Sequence, residues 1–326
     1  MRVLITGVTG MVGSHLADYI TERHPDVEVH GLVRWRSPMD NIAHLADRIG
    51  LHLGELRDLN SLTAVMHRVR PDWIFHLAAQ SYVTASFGAP ADTIHTNVIG
   101  TTNLLDAVRA AGIDPKIHIC SSSEVYGQVT ADEVPIRETS PLRPSSPYAV
   151  AKVGEDMIGL QYFLSYGLRT LRTRMFTHTG PRRGDVFAES AFAKQIAELE
   201  AGRRRRPMKV GNLDSVRTFA DVRDAVHAYW LLMEKCPPGE VYNIGGDRTM
   251  TVGGMLAILE SLARCPIEHE VDPSLLRPSD VTLQVPDTSK FRNATGWAPR
   301  IPLETTLQDL LEYHRARLRA GETRSA

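Results

Sequence analysis

Val3-Leu4-Ile5-Thr6-Gly7-Val8-Thr9-Gly10-Met11-Val12-Gly13 decides the fold. Val3–Thr6 reads as a short buried strand, and glycines at 7, 10 and 13 carry it through a tight turn into an amphipathic helix over Met11–Glu22. The first glycine permits the turn, the second lets an anion approach backbone amides, and the third lets helix and strand pack closely. The helix amino terminus adds partial positive charge for that anion. The spacing predicts a dinucleotide pyrophosphate site at Thr6, Gly7, Gly10, Met11, Val12 and Gly13.

The same rhythm continues downstream. Strands are expected at Val27–Val33, Leu51–Leu53, Trp73–Leu77, Ile117–Ser121 and Thr170–Arg174, and helices at Leu59–Val69, Asp92–Ala111 and Pro147–Ser165. The strand runs are continuously apolar rather than alternating, as when helices cover both sheet faces. Right-handed strand–helix–strand crossovers of this length build a parallel, doubly wound α/β Rossmann sheet. After about Thr177 the rhythm loosens into a helix at Phe187–Glu200, a basic run at Arg203–Arg206, short segments, and a last helix from Leu303 to about Leu318. The expected organisation is a cofactor domain over residues 1–176, with a later part near 211–245 returning to it. Residues 177–326 then form mainly a smaller, interleaved substrate-binding cap, and the tail Ala320–Ala326 reads as frayed.

Composition excludes several classes. The 37 basic and 38 acidic residues leave no net field for nucleic acid or an anionic membrane. No apolar run approaches the ~20 residues that span a bilayer. The amino terminus turns at Gly7 too early for a leader and has no small-residue cleavage site. Cys120, Cys236 and Cys265 are too few and scattered for a disulfide framework, and no His/Asp/Glu group has metal spacing. These features suit a soluble, reduced, cytoplasmic protein. His76 and His118 read as satisfied core histidines, Met250, Met255 and Trp297 as packing residues, and Arg203–Arg206 as a solvated loop.

Which dinucleotide is bound turns on the end of the second strand. An NAD site places an acid there for the ribose hydroxyl, whereas this chain has Arg34-Trp35-Arg36-Ser37 and no acid before Asp40. Two guanidiniums and a hydroxyl suit the extra phosphate of NADP, with Trp35 beside the adenine.

The catalytic set follows the strand ending at Cys120. Ser122 and Glu124 stand at its carboxyl edge, where doubly wound folds keep their ligands. Tyr148 and Lys152 are four apart at the start of a helix and project from one face, with Ser145-Ser146-Pro147 as the start signal. Lys152 and a positive nicotinamide are expected to lower the Tyr148 phenol pKa so that tyrosinate accepts a proton near neutral pH, with Ser122 bonding the same substrate oxygen. Ketone reduction needs only these three. Glu124 adds a carboxylate able to move protons in an elimination of water, its alternative role being to order the next turn.

These motifs, with Leu77-Ala-Ala-Gln-Ser81-Tyr-Val-Thr-Ala-Ser86-Phe87, Ser122-Ser-Glu-Val-Tyr-Gly127, Ser146-Pro-Tyr-Ala-Val-Ala-Lys152 and Pro181-Arg-Arg-Gly184, resemble the extended short-chain dehydrogenase/reductases acting on nucleotide sugars. Within them the first half is most similar to GDP-mannose 4,6-dehydratases. Val210–Asp214, Val222–Asp224, Ala228–Leu232, Leu276–Ser279 and Thr295–Pro299 look at least as much like GDP-4-keto-6-deoxymannose reductases. The resemblance implies Ser122 as the hydroxyl, Glu124 as acid/base and Tyr148 with Lys152 as the oxidation pair. It implies cofactor contacts at Glu55, Leu56, Leu77, Ala78, Ala79, Ser81, His178 and Arg183. Substrate contacts are implied at Ser86, Thr177, Lys194, Val210 and Asn212, with Arg217 and Arg277 gripping the diphosphate. An arginine-serine loop such as Arg34–Ser37 helps form a tetramer in that family, so a homodimer or homotetramer is implied. Three departures are Thr177-His178 for Asn-His, Gly54-Glu55-Leu56 for Gly-Asp-Leu, and the absence of a basic pair from Phe187–Phe192.

The expected activity is conversion of a GDP-hexose, GDP-mannose, to its 4-keto-6-deoxy form with NADP recycled in the site. The alternatives are a keto-sugar reductase consuming NADPH, another nucleotide-sugar epimerase or dehydratase, and a catalytically idle NADP-binding regulator.

Overall fold

Short Val-, Ile- and Leu-rich runs pair edge to edge in a computed structural model that describes residues 1–321. Residues 322–326 of the expected frayed tail lie outside the described residues. The strands are β1 (Arg2–Thr6), β2 (Glu28–Val33), β3 (Gly50–Leu53), β4 (Trp73–His76), β5 (Lys116–Ser122), β6 (Arg169–Met175) and, from much later in the chain, Val241–Ile244. They form one parallel sheet in the order Val241–Ile244, β6, β5, β4, β1, β2, β3. The order reverses between β1 and β4, so their following loops diverge and open a crevice at the carboxyl edge.

The helices of the first three-quarters are α1 (Met11–Arg23), α2 (Leu59–Val69), α3 (Val83–Gly88), α4 (Pro90–Ile94), α5 (Gly100–Ala110), α6 (Pro147–Tyr166), α7 (Ala188–Glu200) and α8 (Val222–Lys235). Leu16 and Ile20 of α1 pack with Tyr229 and Trp230 of α8 on one sheet face. Leu62 and Val65 of α2 pack with Leu104 and Val108 of α5 on the other. A third core joins Phe192 and Ile196 of α7 to Met255, Leu256, Leu307 and Leu310. Among the described residues three small sheets of two or three strands accompany this third core, and the late segments build no second large sheet.

The helix expected over Asp92–Ala111 is interrupted. A π turn at His95–Ile99 separates α4 from α5. Its Asn97 side chain accepts from Gln80 N at 2.8 Å and donates to Gln80 O at 3.0 Å, tying the wide turn to the loop after β4. His76 and His118 are core residues. Both ring nitrogens of His76 are bonded, to Thr6 and Thr101. His118 bonds Thr173 through Nε2 and, against expectation, leaves Nδ1 buried without a partner among the described residues. Burial drives both to a pKa of about 3, so both stay neutral. Behind α6, Asp156 accepts from Arg172 and Arg174. Among the described residues no helix is long and apolar enough to cross a membrane, and no group of three His/Cys/Asp/Glu could hold a metal.

Candidate active site

The crevice is a cavity of about 1170 Å³ running from the β1 turn to the third core. At one end Gly7 has φ +72°, and a Cβ there would lie 2.9 Å from Ala78 N and Cα. At Gly13 a Cβ would lie 2.2 Å from Gly7 O, so the turn requires glycine at both positions. Gly10 caps α1 without any side-chain hydrogen bond, leaving first-turn amides for an external acceptor. Asn41 Nδ2 braces the loop through a 2.9 Å bond to Thr9 O. This cradle fits a dinucleotide pyrophosphate. Gly7, Gly10, Met11, Val12, Gly13, Arg34, Ser37, Glu55, Leu56, Leu77, Ala78, Ala79 and Ser81 all line it.

Three residues expected at the cofactor do not line the cavity. Thr6 is fully buried beneath the loop, where its hydroxyl bonds His76 and accepts from Leu77 N and Ala78 N at 3.1 Å. It shapes the loop rather than the wall. Trp35 and Arg36 form the tip of a turn closed by Ser37 on Arg34, and stack on each other at 4.3 Å. Trp35 is 77% exposed, so neither lines the cavity.

At the centre β5 delivers Cys120 and Ser122, and the 3-10 turn Ser123–Tyr126 delivers Glu124. Ser122 caps that turn, its Oγ accepting from Glu124 N at 3.2 Å. Tyr148 and Lys152 come from the first turns of α6, whose cap is Ser146 with Pro147 following. Lys152 Nζ donates to Cys120 O and to Glu155 Oε2, each at 2.9 Å. Burial alone would lower the Lys152 pKa, but Glu155, Tyr148 and Cys120 raise it above the ordinary value, so the ammonium stays charged.

Lys152 acts on Tyr148 in the expected direction but is outweighed in the protein alone. Burial raises its phenol pKa by more than Lys152 and the Ser122 hydrogen bond lower it. In the protein alone the phenol is therefore protonated, and Lys152 does not by itself make a base. Cys120 is part-exposed to the cavity and bonds Tyr229 Oη at 3.3 Å. Glu124 is half-buried in the same wall, and burial raises its carboxyl pKa against the opposing pull of Arg277 and Arg217. His178 Nδ1 bonds Phe176 O at 3.1 Å, and burial with the charge of Arg183 holds its pKa near 4. Its ring is neutral, with Nε2 left for the cavity. Arg183 lies over Phe187 at 3.6 Å.

At the far end Arg217 and Arg277 approach Asp280 Oδ1 at 3.9 and 3.5 Å. Asp280 Oδ2 accepts from Asn212 Nδ2 at 2.9 Å. Thr177 and Lys194 also line the wall, Lys194 bonding Asp185 at 2.6 Å. Two expected substrate contacts do not. Ser86 is fully buried, and its hydroxyl accepts from Tyr148 N at 3.1 Å and donates to Val83 O, which orients α6 instead. Val210 is buried in the third core.

Sequence reasoning missed Gln284, whose Oε1 accepts from Ser123 Oγ at 3.0 Å within the wall. It also set aside Arg204, which reaches the wall and bonds Glu198 at 2.8 Å. Neither has a local signal. Gln284 arrives by a two-residue strand, and Arg204 is one of four consecutive arginines.

Comparison with known proteins identifies the family. The family model described as GDP-mannose 4,6 dehydratase matches residues 4–310. The GDP-6-deoxy-D-mannose reductase of Pseudomonas aeruginosa is 31% identical, over 98% of this chain and 98% of its own. The GDP-mannose 4,6-dehydratase of Yersinia enterocolitica is also 31% identical, over 95% of this chain and 92% of its own. Among solved structures, RMD from Pseudomonas aeruginosa complexed with NADPH superposes with TM-score 0.85 at 31% identity, covering 97% of this chain and 99% of that one. DesIV, a dTDP-glucose 4,6-dehydratase from Streptomyces venezuelae with NAD bound, gives 0.84 at 28%, covering 97% of each chain. The chain belongs to the GDP-mannose 4,6-dehydratase family, extended short-chain dehydrogenase/reductases that act on nucleotide sugars.

Proposed function

We propose that the protein is a cytoplasmic nucleotide-sugar 4,6-dehydratase that converts GDP-mannose to GDP-4-keto-6-deoxymannose with NADP retained in the site. A bound NADP would supply reversible hydride transfer between carbon 4 and carbon 6 of the sugar. The Gly7–Gly13 turn holds its pyrophosphate, and Arg34 with Ser37 favours the extra phosphate. Tyr148 Oη, ionised once the positive charge of a bound nicotinamide adds to that of Lys152, would accept the carbon-4 hydroxyl proton, with Ser122 Oγ bonded to the same oxygen. Glu124 removes the carbon-5 proton, made acidic by the new ketone, and passes it to the carbon-6 hydroxyl, which leaves as water. As hydride arrives at carbon 6, carbon 5 regains a proton by way of Glu124 and solvent, balanced by release of the proton held on Tyr148. Arg217 and Arg277 hold the substrate diphosphate. The third core closes over the strand ends and keeps water from the intermediate. In this reading residues 1–176 and the return near 211–245 serve the cofactor, and the rest of 177–326 serves the substrate.

The observation that carries the reading is Glu124: a half-buried carboxylate in the same wall as Ser122, Tyr148 and Lys152, with a raised pKa. Glu124→Gln should abolish elimination while leaving reduction of the 4-keto sugar by NADPH intact. Undiminished water loss by that variant would sink the reading. A reductase is the second reading, favoured by the protonated resting state of Tyr148, which suits donation to a ketone.

We further propose a homodimer through α6. Val150, Met157 and Leu164 are spaced by seven and exposed, and Ile94 and Ile99, on α4 and the π turn that pack against α6, are exposed as well. Leu164→Glu should give a monomer by light scattering; an unchanged mass refutes this interface.

A further inference from the structure

Tyr148 and Lys152 share their face of α6 with a third titratable group. Glu155 follows Lys152 by three residues and Tyr148 by seven, so all three project one way. Its Oε2 accepts from Lys152 Nζ at 2.9 Å, and the same ammonium donates at 2.9 Å to Cys120 O. Two ammonium protons are thereby committed and the third is left for the Tyr148 side. The two side chains are only 6% and 1% exposed. The other carboxylate oxygen, Oε1, is buried without a hydrogen-bond partner among the described residues.

An ion pair this deep recovers its desolvation cost only when its remaining lone pairs are satisfied, and Oε1 leaves that incomplete. Stability is therefore a poor account of a carboxylate here, and charge is a better one. On α6 the next acid, Asp156, is held by Arg172 and Arg174 of β6. His118 of β5 and His76 of β4 are neutral. Cys120 of β5 and Tyr229 of α8 have thiol and phenol pKa values raised by burial. Arg183, further along the chain after β6, also interacts with Tyr148. Lys152 and Glu155 thus act on the phenol as an opposed pair, Lys152 lowering its pKa and Glu155 raising it.

We propose that Glu155 is a positioning residue for the Tyr148–Lys152 pair: it pins the ammonium and, by offsetting its charge, sets the proton affinity of the Tyr148 phenol. With Glu155 ionised the phenol rests protonated. Once Oε1 takes a proton from solvent, the full charge of Lys152 falls on Tyr148 and the phenol releases its proton more readily. Burial, opposed by Lys152, pushes the Glu155 carboxyl up to about 7, which brings this change close to neutral pH. The inference rests on Tyr148 and Lys152 being the acid–base pair, and holds for dehydratase or reductase alike.

The test is an ultraviolet tyrosinate titration of the cofactor-free protein, with the Tyr148 signal isolated by difference against Tyr148→Phe in each background. Glu155→Gln keeps an acceptor for Lys152 and Glu155→Met fills the space, so either neutral variant carries the test if the other fails to fold. Both should move the Tyr148 titration down by about one pH unit, while Glu155→Asp, which keeps the charge, stays with the wild type. Tyr148 curves that coincide in wild type and the neutral variants, or that move equally in Glu155→Asp, overturn the proposal. Failure of the acid–base reading itself shows separately, as full turnover by Tyr148→Phe.

Discussion

Asp156, Arg172 and Arg174 form the most demanding test of how the fold holds its site. Asp156 is fully buried and accepts from Arg172 Nη1 at 2.8 Å and Arg174 Nε at 2.7 Å. Arg174 Nη1 also donates to Tyr126 Oη at 3.0 Å and Glu138 O at 2.8 Å. Tyr126 in turn donates to Asn243 Oδ1 at 2.7 Å, joining α6, the Glu124 turn and the seventh strand. Arg174→Met removes one charge-assisted bond to a carboxylate and strands two further acceptors, but leaves Arg172 and Asp156 as a neutral pair. Its cost should be about 3 kcal/mol. Asp156→Leu strands two guanidiniums without a counter-ion and should cost more, at least about 5 kcal/mol. Urea unfolding followed by circular dichroism measures both. Because Tyr126 closes the turn that carries Glu124, Arg174→Met should also lower kcat about tenfold with KM little changed. A loss below about 1 kcal/mol in both variants, or Asp156→Leu proving milder than Arg174→Met, refutes the reasoning.

Three further outcomes are expected. His76 and His118, near pKa 3 when folded and about 6.5 unfolded, contribute stability that is present above pH 6.5 and lost as pH falls towards 3; melting at pH 5.5 should show a loss on the order of 3 kcal/mol relative to pH 7.5. Gly13→Ala places a Cβ 2.2 Å from Gly7 O, where backbone must move, and should cost about 2 kcal/mol or more and abolish dinucleotide binding by calorimetry. Arg277→Ala removes a charge that holds the Glu124 pKa down, so the acid limb of the kcat profile should move to higher pH while KM rises at least about tenfold.

The parts of the site that sequence made legible are local ones. Gly7, Gly10 and Gly13 are needed by the turn that contains them, and Tyr148 and Lys152 share a face because a helix repeats every 3.6 residues. What stayed hidden depends on partners far along the chain. Thr6 and Ser86 turn inward because His76 and Tyr148 N are there to meet them, and Gln284 reaches Ser123 across 161 positions. The raised Tyr148 pKa belongs to the same class, since burial by distant segments outweighs the adjacent lysine.

The central claim is water loss through Glu124 with a cofactor that is never consumed. Purified protein loaded with one equivalent of NADP and incubated with GDP-mannose tests it directly by mass spectrometry of the sugar nucleotide. The account predicts many turnovers of a product lighter by one water, with no net NADPH. Unchanged GDP-mannose, alongside stoichiometric NADPH oxidation when the 4-keto-6-deoxy sugar is supplied instead, would contradict it.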